Sequence, residues 1–179
     1  EPQPVPASSL PSPGRDGAIV QVVPSGPDVV DDELFEGILS FVFLAKRRLW
    51  IVSPYFLPND MLAQALRIAG QRGVDVRIVV PSRSDQKLVD AGRGPVLREL
   101  AAAGCKVLLY APSMIHAKAM LVDDIAVAVG SANFDARSLF LNFEVSSVVH
   151  SAPEIESMAA WMEGLMPACA PMDGKVGPL

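Results

Sequence analysis

An imidazole and an ammonium two residues apart, His116 and Lys118, sit in an apolar run that continues to Asp123, Gly130, Ser131 and Asn133. On a β-strand alternate side chains leave opposite faces, so His116 and Lys118 converge while Ile115, Ala117, Ala119 and Leu121 pack the other way. The pair combines a nucleophile or proton carrier with a fixed positive charge, which suits chemistry at a phosphate. A lysine one pleat from a histidine in an apolar strand loses its hydration, so its presence implies an anionic ligand. Asp123 lies an odd number of residues from His116 and points away from it. With Asp124 it is read as a two-residue hairpin turn into the strand 125–129, a structural role.

The imidazole needs an acid to fix its tautomer. Residues 141–149 alternate so that Asn142, Glu144 and Ser146 share a face, and the same pattern assigns Phe143 and Val145 to the core. Glu144 is therefore the candidate orienting carboxylate for His116. The segment from Gly130 to Ser138 supplies a glycine turn, the Ser131 hydroxyl and the Asn133 amide, and reads as a turn leading into a short helix. Small polar groups and exposed backbone N–H groups there can approach phosphate oxygens closely. Arg137 either braces this loop through Asp123 or Asp135 or meets a ligand.

The elements that position these groups alternate along the chain. The pattern predicts a strand at 19–23, a helix at 31–48 capped by Asp31-Asp32, a strand at 49–53, a helix at 59–71 and a strand at 74–80. A helical region at 85–103 broken near Gly94-Pro95, a strand at 106–110, the His116 hairpin, the Glu144 strand and a helix at 153–165 follow. This is an α/β pattern and implies a mixed sheet between helical layers. Residues 1–17 carry five prolines and read as a linker or disordered lead-in, leaving 18–179 as a single domain. The apolar helical stretch 37–45 is assigned to the core and is too short to span a bilayer.

Composition narrows the chemistry. Cys105 and Cys169 form no C-x-x-C pair and His116 and His150 are too few for a histidine-rich centre, so free thiols, no metal site and no cofactor are expected. With 15 basic and 20 acidic residues the net charge is −5, whereas a nucleic-acid backbone calls for a basic footprint.

The pattern H-x-K-x4-D-x6-G-S-x-N, filled by His116, Lys118, Asp123, Gly130, Ser131 and Asn133, resembles the signature of the phospholipase D superfamily, and Asn142-Phe143-Glu144 resembles its N-x-E acid. Val22 to Asp28, Ser53 to Pro58 and Met114 to Lys118 look like the C-terminal catalytic half of bacterial cardiolipin synthases. The resemblance implies a phospholipase D-like fold and phosphatidyl transfer from phosphatidylglycerol through a phosphohistidine. It also implies a parent protein at the bacterial cytoplasmic membrane, on its cytoplasmic side or peripheral to it, whereas the piece in hand is expected to be soluble. By the same resemblance His116, Lys118 and Glu144 are catalytic, and Ser131 and Asn133 hold the substrate. Only one motif is present, and the start at Glu1 and the proline-rich lead-in are read as signs of a fragment. A second motif-bearing half is therefore expected, from the same parent chain or from another copy in a dimer. The rivals are a homodimeric single-motif phosphodiesterase or nuclease, a phospholipid hydrolase, and a degenerate scaffold.

Overall fold

The computed structural model describes residues 17–28 and 32–172. Its elements are β1 (Val20–Ser25), α1 (Glu33–Leu44), β2 (Arg48–Val52), β3 (Phe56–Leu57), α2 (Asp60–Gln71), β4 (Asp75–Pro81) and α3 (Lys87–Ala102). They continue with β5 (Lys106–Tyr110), β6 (Ala119–Val122), β7 (Ala126–Gly130), β8 (Phe134–Asp135), α4 (Ala136–Phe140), β9 (Glu144–Val149), α5 (Ala152–Leu165) and β10 (Cys169–Pro171). Eight strands form one mixed sheet in the order β1-β9-β7-β6-β2-β4-β5-β10. β2, β4 and β5 run parallel, whereas β6, β7, β9 and β1 pair antiparallel, and β3 and β8 form a separate two-stranded pair.

The central strands are apolar on both faces because helices cover both, as parallel sheets require. In β2, Leu49 and Ile51 pack beneath α1, α2 and α3 together with Leu66, Ile78 and Leu97. Trp50 and Val52 face the opposite way, toward Ile155, Ala159 and Met162 of α5. The expected sheet between helical layers is thus present.

Several local expectations are corrected. The first helix ends at Leu44 rather than at residue 48, because the backbone N–H groups of Lys46, Arg47 and Arg48 donate to the Asp123 carboxylate at 2.9, 2.9 and 2.8 Å. These bonds turn the chain out of the helix and into β2. Asp31 lies outside the described residues, and Asp32 makes no side-chain capping bond. α3 runs unbroken through Pro95, since Ala91, whose carbonyl loses its donor, is exposed and water can replace the missing N–H. The β6–β7 turn holds three residues, 123–125, instead of two, with Ile125 N–H donating to Val122 O at 3.0 Å. Asp123 takes φ 47° there, a left-handed conformation that Asp tolerates.

Asp123 therefore holds structure at the end of β6 remote from Lys118. Burial pushes its carboxyl up, but the backbone donors of Arg48, Lys46 and Arg47 outweigh this and hold it below the usual carboxylate range. A depressed native pKa stabilises the fold above the unfolded value of about 4, and that contribution disappears as pH falls through the native value. Asp123→Ala leaves three backbone donors without their acceptor and is expected to cost about 3 kcal/mol in urea unfolding near pH 7, with a smaller difference from wild type below pH 3. A loss below about 0.5 kcal/mol would show that water replaces the carboxylate freely.

Candidate active site

β6 begins at Ala119, so His116 and Lys118 lie in the extended approach to the strand instead of within it. The chain has crossed from the end of β5, past β4 and β2, to reach β6. Only one further ladder bond, from Gly130 N–H to Lys118 O at 3.3 Å, carries the pairing back to residue 118. The alternation nevertheless persists through this segment. Ile115 and Ala117 pack into the α5-side cluster with Ala119 and Leu121, while His116 is exposed and Lys118 half-buried on the other face.

The two side chains meet. Lys118 Nζ lies 3.2 Å from His116 Nδ1 and donates to the His116 carbonyl at 2.9 Å. An ammonium only donates, so in this contact Nδ1 takes the acceptor role. The Lys118 stem crosses a small apolar crevice of ≈ 30 Å³ lined by Leu34, Ile38, Met120 and Phe134. That burial pulls its ammonium below the ordinary lysine range, and the charges of Glu144 and Asp135 oppose the shift.

Glu144 stands at the start of β9, with Ser146 and Val148 on the inward face. Asn142 donates to its Oε1 at 3.2 Å, and no hydrogen bond joins it to His116 among the described residues. The grouping of Asn142, Glu144 and Ser146 on one face holds, but the side assigned to the core was reversed. Phe143 is 72% and Val145 50% exposed, and of the apolar residues on their face of β9 only Val149, at the far end, packs against the α5-side cluster. Apolar character is a poor guide to burial beside an edge strand.

Gly130 ends β7 where a Cβ would come within 2.5 Å of Val145 O and Ser146 Oγ, so only glycine allows the 130–134 loop to hug β9. Ser131 follows, with its N–H donating to Val145 O at 3.0 Å and its Oγ accepting from Val145 N–H at 3.0 Å. Asn133 Nδ2 donates to Ser138 Oγ at 3.2 Å, while its Oδ1 is buried without a partner. The expected short helix is α4, capped by Asp135, whose Oδ1 accepts from Ser138 N–H at 2.8 Å. Arg137 braces neither acid through an ion pair among the described residues: Asp123 binds the 46–48 turn, and Asp135 caps α4 through Oδ1. It lines a neighbouring cleft with Tyr55 and Asn142. α4 and Asp135 were missed as site elements, although Asp135 three residues before Ser138 is a legible capping signal.

Among the described residues no group of three His, Cys, Asp or Glu is placed to hold a metal ion, and no helix is long and apolar enough to cross a membrane. Cys105 is free and buried, which pushes its thiol up to about 11, and Cys169 is free and half-buried.

The chain is similar to known proteins over most of its length. Cardiolipin synthase A of Pseudomonas aeruginosa (strain LESB58) is 44% identical over 146 residues, covering 80% of this chain and 30% of that protein. Cardiolipin synthase A of Pectobacterium carotovorum subsp. carotovorum (strain PC1) is 38% identical over 151 residues, covering 84% of this chain and 31% of that one. The chain thus spans about a third of the length of these relatives. Among solved structures, the phospholipase D family member Nuc from Salmonella typhimurium has a similar fold, with TM-score 0.72 and 24% identity over 87% of this chain and 99% of that one. Phosphatidylserine synthase of Haemophilus influenzae Rd KW20 matches with TM-score 0.70 and 16% identity over 86% of this chain and 39% of its own. A family model described as the cardiolipin synthase, PLD-like domain matches residues 38–166, and this chain belongs to that family.

Proposed function

We propose that the domain is one catalytic half of a phosphatidyltransferase that makes cardiolipin from phosphatidylglycerol. The observation that carries this is the meeting of His116 and Lys118 on the approach to β6, beneath the fields of Glu144 and Asp135. It is supported by membership in the cardiolipin synthase family.

The chemistry proceeds by two displacements at phosphorus. A histidine nitrogen attacks the phosphate of one phosphatidylglycerol, the bond from phosphorus to the glycerol oxygen breaks, and a second acid gives the leaving oxygen its proton. A hydroxyl of another phosphatidylglycerol then attacks, the phosphorus–nitrogen bond breaks, and the hydroxyl proton returns to the second group. Nucleophile and acid must stand in line on opposite sides of phosphorus, so one imidazole cannot serve both stations in one step. His116 occupies one station and a histidine of a second motif-bearing half the other, contributed by the parent chain or another copy. Lys118, Ser131 and the remaining Asn133 N–H hold the non-bridging oxygens. A phosphate that engages Lys118 draws the ammonium off His116 Nδ1, and the freed ring is then oriented by Glu144. Asp123 and Gly130 shape the motif without touching substrate. The parent works on phospholipid at the bacterial cytoplasmic membrane, and no cofactor enters these steps.

The rival reading, a single-motif homodimer cleaving nucleic acid, is opposed by the −5 net charge. The full-length protein in phosphatidylglycerol vesicles containing EDTA is expected to form cardiolipin and release glycerol in equal amounts, and to leave single-stranded DNA intact. DNA cleavage without lipid turnover, or lipid turnover lost to EDTA and restored by magnesium, would contradict it.

A further inference from the structure

Beside Asn133 the surface opens into a cleft of ≈ 370 Å³ between the Tyr55–Leu57 segment, the start of α3 and the 133–142 loop. It adjoins the catalytic pair, because Ala132 and Phe134 line the Lys118 crevice while the alternating Asn133 and Asp135 line the cleft, and Asn142 on its wall donates to Glu144. Its polar groups are of mixed kind. The Asn133 amide is held at one end by Ser138 Oγ and is buried and unpartnered at the other. Asp135 spends Oδ1 on the α4 cap, leaving a second carboxylate oxygen. Arg137 is exposed and joins none of the ion pairs among the described residues. Tyr55 donates to Asp85 at 2.6 Å, which fixes the rim, and Leu57 supplies an apolar wall.

Past the Asn133 N–H assigned to the transferring phosphate, a second anion would meet the spare Asp135 oxygen, which repels it, and Asn133 Oδ1, which cannot donate to it, with Arg137 alone to attract it. A vicinal diol carries both donors and acceptors and can satisfy the buried amide atom, the spare Asp135 oxygen and the Arg137 guanidinium together. The volume exceeds the share of one water several times over. We infer that this cleft is the alcohol subsite of the domain, taking the glycerol headgroup through Asn133, Asp135 and Arg137 so that a polyol, in preference to water, meets the phosphorus. The inference rests on the proposed phosphatidyl transfer and adds to it the residues that select the acceptor.

Labelled free glycerol offered to the full-length protein in phosphatidylglycerol vesicles reports on the subsite. A bound phosphatidyl group either exchanges onto glycerol, giving labelled phosphatidylglycerol, or falls to water, giving phosphatidic acid. Arg137→Ala is expected to raise the half-saturating glycerol concentration and lower the ratio of exchange to hydrolysis, each about tenfold, the worth of one lost hydrogen bond of about 1.4 kcal/mol. Asp135→Asn keeps a competent helix cap and should lower the same ratio, which guards against misreading a folding defect. Exchange and hydrolysis falling in equal proportion in both variants would overturn the subsite while leaving phosphatidyl transfer standing. A wild-type protein that releases no glycerol at all would instead overturn the transfer reading, and the subsite with it.

Discussion

Replacing His116 by alanine in the full-length protein is expected to lower cardiolipin formation by about 10⁴-fold or more, because no neighbouring side chain can take over as nucleophile or in-line acid. The substitution should spare the fold. His116 is exposed in an extended loop, and its ring meets only the Lys118 ammonium among the described residues. His150 makes the comparison sharp. Its Nδ1 lies 3.2 Å from Ile125 O, beside the three-residue turn at the far end of β6 and β7 from Lys118. His150→Ala should therefore keep activity within about twofold of wild type, the effect of an ordinary surface change. Rates measured in phosphatidylglycerol vesicles decide the matter, and equal losses in the two variants would remove His116 from the chemistry.

Glu144→Gln is expected to slow turnover by roughly ten- to a thousandfold with little change in melting temperature, since an orienting carboxylate fixes a tautomer and steadies a developing charge. A second readout separates this from mere repacking. Burial pulls the Lys118 ammonium below the ordinary lysine range and the Glu144 charge pushes it back up. Removing that charge lowers the Lys118 value, so Lys118 loses its proton at lower pH. The alkaline limb of the kcat/KM profile should then move toward neutrality. Unchanged turnover together with an unmoved alkaline limb would assign the role to another acid.

The legible part of this molecule was the part governed by local spacing. Parity along the chain placed His116 and Lys118 on the face opposite Ile115 and Ala117, and it holds even though these residues precede β6, whereas Asp123 lies in the turn beyond Val122, where strand alternation has ended. The partner of Asp123 could not be read, because the Lys46–Arg48 turn it binds lies more than 70 residues away and presents only backbone N–H groups, which leave no mark on composition. The same bonds explain the misplaced end of α1. Phe143 and Val145 were misassigned for a different reason. The inward face of β9 there is polar because it carries Glu144 and Ser146, so apolar residues were left to the open side next to β1. α4 was foreseen only as a short helix of unspecified extent, and its Asp135 cap contributes a charge to the site that pattern alone did not reveal.

The central claim is that a histidine carries the phosphatidyl group between donor and acceptor. It is tested most directly by the configuration at phosphorus when full-length protein moves a phosphatidyl group, made chiral with sulfur or oxygen isotopes, from one alcohol to another. Each in-line displacement inverts the centre, so two successive displacements through a phosphohistidine return the original configuration. Retention is the expected result. Inversion would show a single direct attack of alcohol on phosphorus and would leave His116 with no covalent role.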